Sequence, residues 1–130
     1  MTTLAKDWRW LNTALVFAIH DRQIADHGGV PGVKDEAAVE SAIARPINKA
    51  AYNSPDAAEL AAAYAFGLVR NHGFNDGNKR TAWVAARVFL ADNGYKISFQ
   101  PFDAIKTVED LAAGKIDEEA MAEWFRGRLR

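Results

Sequence analysis

The sequence predicts an all-α domain, of about six helices with a buried helix pair at its centre. Three observations carry that expectation. Apolar residues recur at helical spacing through most of the chain. Capping aspartates and terminating glycines stand at the edges of those segments. Two adjacent segments, 57–71 and 78–93, are apolar around most of a helical circumference, as buried helices are.

Taken in order, the first helix is expected from about Trp10 to His27, where Gly28-Gly29 ends it. Leu11, Leu15 and Ile19 lie four apart on one face. Lys6 and Arg9 before this apolar run raise the question of a signal peptide. Asn12 and Thr13 interrupt the run and no small-x-small cleavage site follows, so it reads as helix. Val30-Pro31-Gly32 makes a turn. Asp35 caps a second helix that continues to about Ala44, because Pro46 disfavours helix at the residue before it. Pro46 to Pro55 is expected to be a loop or a short hairpin. Asp56 caps a third helix reaching Asn71 or His72, and Asn78 to Asn93 is a fourth, stopped by Gly94. Tyr95 to Phe99 looks extended. Pro101–Ala113 and Asp117–Leu129 complete the set, the last with Ile116, Ala120 and Trp124 in line and Glu118 and Glu119 at the positive end of its dipole.

With 130 residues, nearly half of them apolar and a quarter charged, the chain fits one globular domain, taken as 1–130. A net charge of −1 argues against holding nucleic acid by bulk electrostatics. The absence of cysteine removes disulfides and thiolate metal sites and fits a reducing, cytoplasmic setting. No apolar run is long enough to span a membrane. His20 and His27 share a helix face at a spacing of seven, but no third metal ligand accompanies them. Arg126, Arg128 and Arg130 read as a solvated basic end. Trp8 and Trp10 are expected to cover the core.

The chemistry concentrates in HGFNDGNKR, residues 72–80, between the two apolar helices. The first N–H groups of a helix have no internal partner and favour anions. Asn78, Lys79 and Arg80 stand there, Gly77 permits close approach of a ligand, and the two cations add full charges. That combination suits phosphate. Asp76 is a hard ligand of the kind Mg²⁺ takes beside phosphate oxygens, and His72 can serve as a base. Phe74 should anchor the loop in the core. Singly, each residue has a plainer reading: His72 a helix cap or packed side chain, Asp76 a cap, Lys79-Arg80 a solvated pair. Their conjunction within nine residues points to a phosphate site. No GxxxxGK[ST] loop or glycine-rich kinase loop is present, so any ATP site must be this one.

HGFNDGNKR resembles the signature of the Fic/Doc family, His-x-Phe-x-Asp/Glu-Gly/Ala-Asn-Gly/Lys-Arg. The likeness extends over about Leu11 to Phe99, through Gly28-Gly29-Val30-Pro31-Gly32, Glu40 to Pro46 and Ala61 to Tyr95, and is strongest to the death-on-curing (Doc) branch. Lys79 stands where adenylyl-transferring Fic enzymes carry a second glycine. The resemblance implies that its side chain displaces the α- and β-phosphates from the loop and that the γ-phosphate of ATP is the group attacked. It therefore implies a protein kinase, with His72 as base, Asp76 holding Mg²⁺, and Gly77, Asn78, Lys79 and Arg80 binding phosphates, Lys79 and Arg80 also stabilising developing charge.

It further implies the toxin of a toxin–antitoxin pair. The target would be a hydroxyl of a translation factor such as elongation factor Tu, and an antitoxin protein would supply restraint, since no self-inhibitory Ser/Thr-x-x-x-Glu-Gly/Asn segment occurs here. Fic-type adenylylation, or a silent antitoxin-binding module, are the alternatives. Two further expectations follow from the resemblance. Gly73, where Fic motifs often have proline, should loosen the loop. Pro46 to Pro55, with Asn48, Lys49, Tyr52 and Asn53, should correspond to a flap that pairs with an extended target.

Overall fold

The computed structural model describes residues 7–130. Lys6 and the rest of 1–6 lie outside that range. Among the described residues there are six helices: α1 (Thr13–His27), α2 (Glu36–Tyr52), α3 (Ala57–Arg70), α4 (Asn78–Asp92), α5 (Pro101–Ala112) and α6 (Glu118–Arg126). None is long and apolar enough to cross a membrane.

The all-α expectation holds, and α3 is the axis of the fold. It packs against α2, α4, α5 and α6, while α1 lies against α4 and α2. Its alanine-rich surface, Ala57, Ala58, Ala61, Ala62 and Ala65, lets neighbours approach closely on several sides. A reciprocal capping box starts it: the Asp56 carboxylate accepts from Glu59 N–H at 2.9 Å and the Glu59 carboxylate accepts from Asp56 N–H at 3.3 Å. Tyr64 is fully buried on α3, and its hydroxyl accepts from Leu11 N–H at 3.0 Å, tying the N-terminal segment to the axis. Burial pushes that hydroxyl's pKa up to about 12, outweighing the opposing effect of the Leu11 hydrogen bond. Trp8 and Trp10 both pack on Phe89, with ring centroids 5.9 Å away in each case, so they cover the core as expected.

Several boundaries differ from expectation. α1 begins at Thr13 because the Asn12 side chain caps it, accepting from Leu15 N–H at 2.8 Å. The largest difference is α2, which runs through Pro46 to Tyr52. Proline removes an N–H and crowds the carbonyl four residues back, at a cost of about 3 kcal/mol in a helix interior. Tertiary contacts offset this. Pro46 is buried, Ala50 packs on the core, and Arg45 and Lys49 both reach Glu118 at the start of α6. The expected loop or hairpin at Pro46 to Pro55 is therefore helical up to Tyr52. Asn48 and Lys49 offer no strand edge for a target, and only 53–55 remain outside a helix before Asp56 caps α3.

At the C-terminus α6 stops at Arg126, short of Leu129, because 128–130 pair with the extended segment after α4. Ser98 N–H donates to Arg128 C=O at 2.9 Å, and Arg130 N–H to Lys96 C=O at 2.8 Å. The buried face of α6 is Met121, Ala122 and Phe125. Ala120 is exposed, while Ile116 and Trp124 on the same line are partly buried and pack against the core.

Gly67 sets the α2–α3 spacing. A Cβ there would stand 3.0 Å from both Cα and Cβ of Ala42. Alanine gains about 1 kcal/mol of helix propensity over glycine, but overpacking a close contact costs about 1–3 kcal/mol. The crowding should win, because one of the clashing atoms is backbone. Gly67→Ala is expected to lower stability by roughly 1 kcal/mol, seen as a lower urea midpoint at unchanged slope. A raised midpoint would mean that α2 withdraws freely.

Candidate functional site

The loop between α3 and α4 is polar at its surface and anchored from beneath. Phe74 is 2% exposed. Its ring stacks on the His20 imidazole of α1, with centroids 3.8 Å apart and planes 8° from parallel, and meets Phe17 edge-on. The Asn78 side chain clasps the same residue. Its Oδ1 accepts from Phe74 N–H at 3.1 Å and its Nδ2 donates to Phe74 C=O at 3.0 Å. Asn78 thus spends its amide on loop geometry, and its backbone N–H remains for a ligand at the helix start.

Gly73 is held tightly, contrary to the expected loosening. Its carbonyl accepts from Lys34 N–H at 2.8 Å and Asp35 N–H at 3.0 Å. A Cβ at that position would lie 2.3 Å from Val39 Cγ2. The missing side chain lets the loop sit directly on the start of α2, so glycine here closes a gap. The segment 29–33 braces the other side. Asn75 donates to Pro31 C=O through its side chain and to Gly32 C=O through its backbone, both at 3.1 Å. Gly29 leaves room for Asp76, since a Cβ on it would come within 2.8 Å of Oδ2.

The residues singled out from sequence do converge. His72, Asp76, Gly77, Asn78, Lys79 and Arg80 line one cleft of about 790 Å³. The helix-cap readings of His72 and Asp76 do not describe their placement, whereas Lys79 and Arg80 are solvated, as their plainer reading has them. Asn71, not His72, caps α3, and His72 is exposed with a left-handed φ of 50°. Asp76 does not cap α4. The N-cap is Gly77, at φ 75°, and no side chain caps the helix. The first bond of α4 is from Thr81 N–H to Gly77 C=O, which leaves the N–H groups of 78–80 at its positive end. Lys79 and Arg80 are exposed, and among the described residues neither enters an ion pair. Exposed cations over an uncapped helix start are an arrangement that favours an anion.

Asp76 Oδ2 accepts from Val30 N–H at 3.2 Å, and Oδ1 from Gly77 N–H at 3.0 Å. Each oxygen keeps lone-pair capacity. Among the described residues no three His, Cys, Asp or Glu side chains gather around a metal position. One hard carboxylate beside an anion site fits Mg²⁺ that shares its coordination with phosphate and water. His20 and His27 do not act as a metal pair: His20 faces inward on Phe74 while His27 is exposed at the end of α1.

The opposite wall of the cleft comes from α5, with Ala104, Ile105, Val108 and Glu109, and Trp83 of α4 contributes further apolar surface. Sequence reasoning missed this wall. α5 is amphipathic and reads as an ordinary surface helix, and nothing local marks which helix it faces.

Residues 10–90 match the Fic/DOC family. The chain is 36% identical over 119 residues to "Protein kinase doc" of Escherichia phage P1, covering 91% of this chain and 94% of that protein. It is 42% identical over 88 residues to "Toxin Doc" of Mycolicibacterium smegmatis, covering 65% of each. The chain belongs to the Fic/Doc family, and both of these relatives carry the Doc name.

The hydrogen bonds from Val30 and Gly77, in that order, favour ionised Asp76 and hold its pKa below the ordinary aspartate value, with Arg80 adding to the effect. A depressed pKa means that the carboxylate's contribution to loop stability is present above the unfolded value near ~3.9. It is lost as pH falls through the lower folded value. A carboxyl ¹³C titration should give Asp76 a midpoint below ~3.9, with the Val30 amide shift following it. A midpoint above that value would contradict the hydrogen-bond pattern.

Proposed function

We propose that this chain is a Doc-type toxin, acting in the cytoplasm as one Fic/Doc domain, that transfers the γ-phosphate of ATP to a serine or threonine hydroxyl of a translation factor, with elongation factor Tu the favoured target. The observation that carries the reading is the pair of unneutralised cations, Lys79 and Arg80, at the uncapped start of α4 in the cleft that His72 and Asp76 also line. The kinase name of the phage relative supports the same chemistry.

In this reading the N–H groups of 78–80 with Lys79 and Arg80 bind the phosphates. Asp76 would hold Mg²⁺, which when bound would neutralise charge on the transferring group. His72 accepts the proton of the target hydroxyl as its oxygen bonds to the γ-phosphorus. The bond to the β,γ-bridging oxygen breaks and ADP leaves. Lys79 and Arg80 stabilise the charge that develops. The apolar surface of Trp83, Ile105 and Val108 suits the nucleoside. A cognate antitoxin protein would restrain the activity.

Adenylyl transfer is the second reading. Gly77 favours it, since it stands where some Doc proteins have alanine and so resembles the Fic pattern. Lys79 weighs against it, since a lysine side chain would fill the space where a diphosphate would lie along the loop. ATP labelled differently at its α- and γ-phosphorus, incubated with the protein and elongation factor Tu or a cell extract, separates the two. Only the γ label should reach the target, with ADP released. Transfer of the α label with pyrophosphate release would establish adenylylation, and no transfer of either label would favour a silent binding module.

Replacing His72 with alanine should reduce turnover about 10²- to 10⁴-fold, the usual range for general-base catalysis, with ATP affinity little changed. Isothermal titration of nucleotide alongside the transfer assay checks both, and undiminished turnover would remove His72 from the mechanism.

A further inference from the structure

His20 belongs to α1, lies 56 residues before Asp76 in the chain, and takes no part in the chemistry above. It is nevertheless 1% exposed and bound to the phosphate loop. Its Nε2 lies 2.7 Å from the backbone carbonyl oxygen of Asp76. A carbonyl oxygen only accepts, so Nε2 carries the proton and donates. Nδ1 is 3.9 Å from the exposed Asp21 carboxylate, beyond hydrogen-bond reach.

The bonded carbonyl belongs to the Asp76–Gly77 peptide, whose two polar groups share one rigid plane. His20 holds the C=O, and the Asp76 carboxylate accepts from the N–H at 3.0 Å. With both ends of the plane fixed, Gly77 is set at φ 75° and the direction in which α4 starts is set with it. The imidazole also packs beneath the turn. A Cβ on Gly77 would lie 3.6 Å from Nε2.

We propose that His20 is a positioning residue: by donating to the Asp76 carbonyl it orients the Asp76–Gly77 peptide, and so aims the Asp76 carboxylate and the first N–H groups of α4 into the cleft. The proposal rests on the reading of this loop as the nucleotide-phosphate site. The donor does the positioning, and stacking on Phe74 only places it.

Two variants separate donor from ring. His20→Gln puts an amide N–H the same number of bonds from Cα as Nε2, without a ring. His20→Phe keeps a ring for Phe74 and has no donor. His20→Phe is expected to lower kcat for γ-phosphate transfer by roughly 10- to 100-fold, as misplacement by about an ångström does, and to shift the ¹⁵N amide resonances of 77–80. His20→Gln should restore most of the rate and leave those resonances near the wild type, with both variants folded by circular dichroism. Wild-type rate and unmoved amides in His20→Phe would overturn the proposal. So would equal loss in both variants, which would show that restoring the donor restores nothing. If His20→Phe does not fold, His20→Gln decides alone: a folded variant with lost function overturns the idea, and retained function supports it. If the wild-type protein transfers no phosphate, the kinase reading fails separately. The amide shifts and the binding of inorganic phosphate by each variant still test His20.

Discussion

The site depends on one constraint: Phe74 must be buried in a loop whose neighbours must stay in water. Its ring fills the space between His20 and Phe17, and two hydrogen bonds with the Asn78 side chain, one accepted and one donated by it, lock its backbone. Burying a phenylalanine side chain contributes about 1.5–3 kcal/mol, and each hydrogen bond roughly 0.5–1.5 kcal/mol. Holding His72 in the left-handed region costs about 1–2 kcal/mol. The balance favours the observed loop, so the strained residue persists beside the anchor. The same anchor brings α1 under the loop and makes His20 available to the Asp76 carbonyl.

Above the anchor, the molecule leaves charge uncompensated where compensation would be easy. The capping aspartates Asp35, Asp56 and Asp117 each accept from an N–H in the first turn of their own helix. Asp76 stands just before α4 and accepts instead from Val30 and Gly77. Some arginines elsewhere find carboxylates: Arg45 meets Glu118, and Arg126 meets Asp56. Lys79 and Arg80 meet none among the described residues. At the start of α4 an uncapped N-terminus and two exposed cations meet in the cleft that His72 and Asp76 also line, whereas α5, which likewise lacks a side-chain cap, carries no cation in its first turn.

The wall opposite is held by a different set of contacts. Asp103, in the first turn of α5, accepts from Trp124 Nε1 at 2.9 Å and from Arg128 at 2.7 Å, and the Arg128 guanidinium lies over the Trp124 ring. These tie α5 to the C-terminal segment. The width of the cleft therefore depends on residues that follow the family-matched region 10–90.

The sequence by itself determined what depends on near neighbours in the chain. Side-chain caps at Asp35 and Asp56, the glycine turn at 77 and the apolar circumference of 57–71 are local properties, and they set the helix starts, the polar loop and its residues. The motif HGFNDGNKR made the family legible as well. Tertiary structure decided whatever depends on residues far apart. Pro46 stays helical because Arg45 and Lys49 find Glu118 about 70 residues later. Gly73 tightens the loop because Val39 leaves no room for a Cβ. α5 becomes a wall of the cleft, and His20 reaches Asp76, only when the helices pack. Local propensities amount to tenths of a kcal/mol to about 1 kcal/mol per residue. Burial and buried hydrogen bonds are worth about as much or more, and no short window of sequence shows which partners they will join.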